Sequence, residues 1–151
     1  MTVRTGHAYV APRCSNPTEA TVMSKVSKET AEKFEDWGPP GKEWTQELDG
    51  TQHVSFVEVA EDADLTPLLV GLPNDECQCP HWGYVLEGRL WWRSSGHDEI
   101  CEAGDAFYIG PGHTSGAYGG ARFVIMSPAK EMAELQAHME RRARELQGVA
   151  S

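Results

Sequence analysis

The sequence has no long apolar run. Its longest uninterrupted stretch of Leu, Val and Ile is Leu68–Val70, whereas a membrane-spanning helix needs about 20 apolar residues. The opening residues also lack the apolar segment of a secretory signal. We therefore expect a cytoplasmic protein with no membrane partner.

Basic residues and cysteines are scarce. Thirteen Lys and Arg face 23 Asp and Glu, which gives a net charge of −10. Binding to nucleic acid or to an anionic membrane is disfavoured, because both depend on clustered positive charge. The four cysteines, of which Cys14 and Cys101 stand apart from the others, are too few for a secreted disulfide scaffold and fit a reducing compartment.

The 151 residues suit one domain with accessory ends. Residues 1–50 are polar and are predicted to form a partly helical N-terminal arm. Asn16 and Pro17 mark the start of a helix that runs to about Asp36. Trp37 and Trp44 would anchor the arm on the domain or on a partner subunit.

Residues 51–128 read as short strands separated by Gly, Pro, Asn and Asp. Segments 66–72 and 79–86 are among the predicted strands. Strands that recur every 8–12 residues favour an all-β antiparallel sandwich or small barrel over a βαβ fold.

Residues 129–151 are predicted to form a C-terminal amphipathic helix. Ser127 would be its N-cap and Pro128 its first residue. Apolar residues recur at helical spacing from Met132 to Leu146. This stripe would dock on the barrel or on a second chain, and with the chain length it favours a homodimer.

Four side chains suggest a metal site. Cys77, Cys79 and His81 are spaced by two residues, which in a strand places them on one face with neighbouring Cα atoms ~6.6 Å apart. His113 follows a Gly-Pro-Gly turn. Two sulfur and two nitrogen donors predict a divalent metal, with zinc preferred and Fe(II) or Cu as alternatives.

Residues 52–128 resemble the cupin superfamily. The strand end Tyr84–Gly88 is similar to the close of the first cupin motif, and Gly104 through Pro111-Gly112 matches the second. The resemblance is strongest to small bacterial cupins with a variant Cys/His motif. It implies a double-stranded β-helix barrel, commonly dimeric, with a metal inside one mouth.

The metal positions depart from the cupin pattern. By count from Gly88, Asp75 and Cys77 stand where the motif has its two histidines, and His81 stands where it has glutamate. By count from Gly104, Ser115 occupies the last histidine position, two residues after His113. Asp75 is also a good turn residue.

Three functional classes remain open at this point. The first is a metal-binding cupin that holds a small molecule, and the second is a metal-dependent enzyme, either an Fe(II) oxygenase or an isomerase or lyase acting on a small polar metabolite. The third is a non-catalytic ligand or metal sensor. Tyr84 and Tyr108 are the candidate substrate-binding residues, while Glu58 and Glu87 are acids near the barrel without an assigned role.

Overall fold

The computed structural model describes residues 24–148 as a mainly antiparallel β structure. Two α-helices accompany the strands, α1 (Thr66–Leu69) and α2 (Ala129–Leu146), together with a short 3-10 helix at Pro73–Asp75. The strands are β1 (Lys33–Asp36), β2 (Gly41–Leu48), β3 (Gln52–Val59), β4 (Ala63–Asp64), β5 (His81–Glu87), β6 (Arg89–Ser94), β7 (His97–Glu102), β8 (Ala106–Ile109), β9 (Thr114–Ala117) and β10 (Arg122–Pro128).

The strands form two facing sheets with an apolar interior. One sheet has six strands in the order β1-β2-β3-β10-β5-β8, and the other has four in the order β4-β9-β6-β7. Alternation along each strand sends every second side chain inward. Val85 and Leu90, at 0% and 2% exposure, lie in this core with Val57 and Trp92.

Part of the predicted N-terminal arm is built into the larger sheet. β2 pairs with β3 along its whole length, from Gly41 opposite Val59 to Leu48 opposite Gln52. In place of the predicted helix, residues 24–36 contain a turn and β1, because β1 pairs antiparallel with the backbone of β2, from Lys33 opposite Thr45 to Asp36 opposite Lys42. The start of that helix at Asn16 lies outside the described residues.

Segment 66–72 is helical at its start, which corrects the predicted strand. Pro67 occupies the first turn of α1, where its missing N–H costs nothing. The predicted C-terminal helix is confirmed as α2, and Met132, Leu135 and Met139 pack inward against Leu69 of α1. The same chain therefore covers the stripe from Met132 to Met139, while Leu146 at its end is exposed. No helix within residues 24–148 is long and apolar enough to cross a bilayer.

Candidate metal centre

A backbone clamp joins the two segments that carry the candidate ligands. The N–H of Cys77 donates to the carbonyl of His113 at 2.7 Å, and the N–H of Gly112 donates to the carbonyl of Cys77 at 2.8 Å. Gly112 has a φ of 88°, a left-handed conformation that glycine adopts without steric cost. The Gly-Pro-Gly turn thus holds residue 113 directly against residue 77.

Three side chains converge at this clamp. Cys77, His81 and His113 are buried, and their candidate ligand atoms all lie within 4.8 Å of one another. Cys77 Sγ lies 3.5 Å from His81 Nε2. The Trp92 ring closes one side, with its centroid 5.4 Å from that of His113. We call these three residues the Cys/His group.

Both imidazoles are held through Nδ1. His113 Nδ1 lies 2.7 Å from the carbonyl oxygen of Gly110, and because a carbonyl only accepts, this nitrogen carries the proton. His81 Nδ1 lies 2.6 Å from Ser127 Oγ. The arrangement leaves an Nε2 lone pair on His113 and fixes both rings, as the outer partners of metal-binding histidines commonly do.

Burial sets the charges of the group. Burial and the nearby His113 lower the pKa of His81 to about 3, and burial also lowers the pKa of His113. Burial raises the pKa of the Cys77 thiol to about 11. At neutral pH both imidazoles are neutral and able to donate a lone pair, and a metal ion would bind the sulfur by displacing its proton.

The structure does not bring the sulfur of Cys79 into the Cys/His group. Cys79 lies in a bend before β5, and Pro80, which has no N–H to pair, follows it. The even spacing therefore does not produce a shared strand face. The Cys79 thiol is buried against Leu69 and Leu135, and burial raises its pKa to about 12.

Tyr84 and Tyr108 lie on the outer face of the larger sheet. They are 45% and 69% exposed and do not line the cavity described below. The β5–β8 register runs unbroken from His81 opposite Ile109 to Tyr84 opposite Ala106. Without a bulge near residue 83, alternation turns His81 inward and both tyrosines outward, so the structure does not place them at an interior binding site.

The other acids noted in the sequence form ion pairs at the surface or hydrogen bonds within a turn. Asp75 Oδ1 accepts a hydrogen bond from the N–H of Gly71 at 2.8 Å, as a turn residue does. Glu58 pairs with Lys28 and Arg122, and Glu87 also pairs with Arg122. Neither glutamate belongs to the Cys/His group.

A cavity of about 590 Å³ opens beside the Cys/His group. Both sheets and α2 contribute to its lining, which is mostly apolar and aromatic, and His81 is the member of the Cys/His group that reaches it. Glu43 of β2 and Ser115 of β9 also line it. The volume suits a small organic molecule.

Sequence reasoning missed two polar residues of this region. Ser127 was predicted to cap α2, but Pro128 occupies the cap position without a side-chain hydrogen bond, and the Ser127 hydroxyl contacts His81 instead. Glu43 fell within the predicted arm. The buried positions of β2 are Gly41, Glu43 and Thr45, and because none of them is a large apolar residue, no apolar alternation in the sequence marked Glu43 as an inward position.

No protein-family model matches the chain, and no curated protein is significantly similar to it. Its fold does match solved structures. An RmlC-like cupin from Shewanella frigidimarina NCIMB 400 aligns with a TM-score of 0.51 and 16% identity over 69% of this chain and 88% of that one. A protein of unknown function from Rhizobium leguminosarum bv. viciae 3841 aligns with a TM-score of 0.52 and 17% identity over 72% and 97%.

KdgF from Halomonas sp. aligns less closely, with a TM-score of 0.48 and 17% identity over 65% of this chain and 88% of that one. The two alignments with TM-scores above 0.5 establish architecture, and at 16–17% identity they do not transfer activity. The chain has the cupin fold, as the sequence resemblance implied.

Proposed function

We propose that this cupin-fold protein binds a divalent metal, with zinc preferred, and holds a small molecule in its barrel cavity. The observation that carries the proposal is the buried convergence of Cys77, His81 and His113. Nδ1 of His81 already contacts the Ser127 hydroxyl, and Nδ1 of His113 already contacts the Gly110 carbonyl. A buried imidazole pair with both Nδ1 atoms occupied is prepared to bind through Nε2.

The donor set favours zinc over the alternatives. One thiolate and two imidazoles match the soft and intermediate ligands that zinc takes in proteins. Fe(II) oxygenase sites use histidine with a carboxylate, and the Cys/His group contains no carboxylate. Cu(I) also accepts sulfur and nitrogen, so metal content decides between zinc and copper.

A metal-dependent isomerase or lyase is the second candidate. Three protein ligands leave one position of a tetrahedral zinc site open, and His81 lines the cavity. Zinc bound there would polarise a substrate oxygen or lower the pKa of a bound water. The chain's own residues would orient the ligands through Ser127 and exclude bulk solvent through Trp92, which is 7% exposed.

The sensor alternative is supported by the contacts of α2. Leu135 of this helix packs in one cluster with Cys77 and Cys79, and Met132 and Met139 lie against the same cluster. These three helix residues also line the cavity. A change in metal or ligand occupancy would therefore reach α2 directly.

A cytoplasmic homodimer is the remaining part of the proposal. Cys77, Cys79 and Cys101 are free thiols, which suits a reducing compartment. Tyr84 and Tyr108 lie on one outer face of β5 and β8 and are exposed, which makes that face the candidate dimer surface. Light scattering that shows a dimer at micromolar concentration supports this part, and a monomer contradicts it.

The metal proposal is tested by metal content. Protein purified without chelator is analysed by mass spectrometry, with free thiols counted in parallel. We expect about one zinc per chain, lost in Cys77→Ser and His81→Ala and retained in the matched control Cys101→Ser, whose thiol lies in the main apolar core. Wild-type protein without metal, or Cys77→Ser with undiminished metal, would contradict it.

A further inference from the structure

Glu43 is a buried acid that the proposed metal chemistry does not use. It lies in β2, points into the barrel interior and lines the cavity, and only 8% of its surface is exposed. A buried carboxylate is costly unless a partner compensates its charge. What surrounds Glu43 therefore indicates what the cavity is suited to hold.

The neighbours of Glu43 supply hydrogen bonding but no positive charge. Burial raises the pKa of Glu43, and hydrogen bonding from Ser55 opposes part of that rise. Ser55 Oγ lies 3.0 Å from His53 Nε2, so the imidazole fixes the hydroxyl. Burial lowers the pKa of His53, which keeps that ring neutral at pH 7. The charge of Glu35, a second acid, raises the pKa of Glu43 further.

The charged residues that line the rest of the cavity are also acidic. Within residues 24–148, no Lys or Arg lines it, while several exposed acids surround its opening. The acids at the opening are Glu35, Asp62, Asp64 and Glu140. The other lining side chains are mainly apolar, and they include the aromatic rings of Trp37 and Trp92. Indole rings also attract organic cations.

We infer that the cavity selects an organic cation, a molecule with an apolar body and a positively charged nitrogen that pairs with Glu43. The inference rests on the proposed binding of a small molecule in the barrel. An ammonium group supplies the positive charge that Glu43 lacks among the described residues, and the apolar walls receive the body. The same acids disfavour anions near Glu43, whereas a metal ion held by His81 would add positive charge at its own part of the cavity wall.

Three small aromatic probes that differ in charge test whether the cavity prefers a cation. Benzyltrimethylammonium is the cation and has no lone pair to bind a metal, benzyl alcohol is neutral, and benzenesulfonate is a weakly coordinating anion. Each is titrated by calorimetry into the metal-loaded wild-type protein, into Glu43→Gln and into Glu140→Gln. Glu140 is the matched control because it lines the same cavity but is exposed.

We expect the wild type to bind the cation about tenfold more tightly than benzyl alcohol. Glu43→Gln should remove this preference, while Glu140→Gln should retain most of it because solvent screens an exposed charge. Equal or tighter binding of benzyl alcohol or benzenesulfonate to the wild type overturns the inference alone, as does a preference that survives in Glu43→Gln. Failure of all three probes to bind overturns small-molecule binding in the cavity as well, while metal content tests the metal centre separately.

Discussion

His81 Nδ1 and Ser127 Oγ lie 2.6 Å apart although the residues are separated by 46 positions in the sequence. The contact crosses from β5 to the neighbouring strand β10. It joins a candidate metal ligand to the residue that leads directly into Pro128 and α2. The hydrogen bond therefore fixes the His81 ring from the sheet itself, and the strand pairing sets the position of its Nε2.

Loss of the Ser127 hydroxyl should weaken metal binding without removing a ligand. Removal of an outer partner of a metal-binding histidine typically reduces affinity roughly 10–100-fold, and we expect a decrease of that size in Ser127→Ala. Competition against a chelator of known zinc affinity measures it. Ser115→Ala, which changes another cavity-facing serine, is the control, and an equal decrease in both variants would contradict the role of Ser127.

Cys79→Ser should keep its metal. The sulfur of Cys79 lies outside the Cys/His group. It is buried beside Leu69 and Leu135 and contacts the Pro80 carbonyl, so its replacement should cost stability more than metal affinity. We expect about one zinc per chain in Cys79→Ser and a marked loss in Cys77→Ser. Equal loss of metal from both variants would mean that a fourth protein ligand binds.

Replacement of Glu43 by Gln should stabilise the protein at neutral pH. A carboxyl whose pKa is higher in the folded state than in the unfolded state loses its favourable contribution as pH rises through that pKa. Burial raises the pKa of Glu43, so its ionised form opposes folding at pH 7. We expect Glu43→Gln to gain roughly 1 kcal/mol there.

Thermal unfolding at several pH values measures this gain. The difference between Glu43→Gln and the wild type should shrink as pH falls to about 4, where glutamate becomes protonated. Glu140→Gln, an exposed control, should show little change at any pH. A Gln variant that is less stable than the wild type at pH 7 would indicate that the carboxylate has a compensating partner.

Gly83 should tolerate no side chain. A Cβ built at this position would lie 2.1 Å from the carbonyl oxygen of Val124 and 2.8 Å from the Phe107 ring. Gly83→Ala should therefore destabilise the fold by roughly 1–3 kcal/mol through overpacking beside His81. Gly110→Ala, where the nearest atom would be 3.7 Å away, is the matched control in thermal unfolding, and equal melting temperatures would refute this packing argument.

The sequence was most informative where glycine turns lie close to candidate metal ligands. Gly88 and Gly104 both have positive φ, and the sequence motifs that contain them predict the cupin fold. The prediction of one metal site for His81 and His113 rested on donor types and spacing, because the chain departs from the cupin ligand positions, and the structure places these rings at a centroid distance of 5.2 Å.

Strand parity and long-range pairing could not be predicted in the same way. Cys79 was assigned by even spacing, which holds only in extended backbone, and it lies in a bend. The inward or outward direction of Tyr84 depends on the absence of a bulge between β5 and β8, which one strand alone does not reveal. Ser127 reaches His81 only because β10 pairs with β5.

X-ray absorption spectroscopy at the zinc edge tests the proposed metal centre most directly, because it counts the sulfur and the nitrogen or oxygen atoms bound to zinc. The Cys/His group predicts one sulfur per zinc, at about 2.3 Å, with the remaining neighbours nitrogen or oxygen at about 2.0–2.1 Å. Cys79→Ser should give the same spectrum as the wild type. Two sulfurs in the wild type that become one in Cys79→Ser, or no sulfur at all, would contradict the three-residue centre.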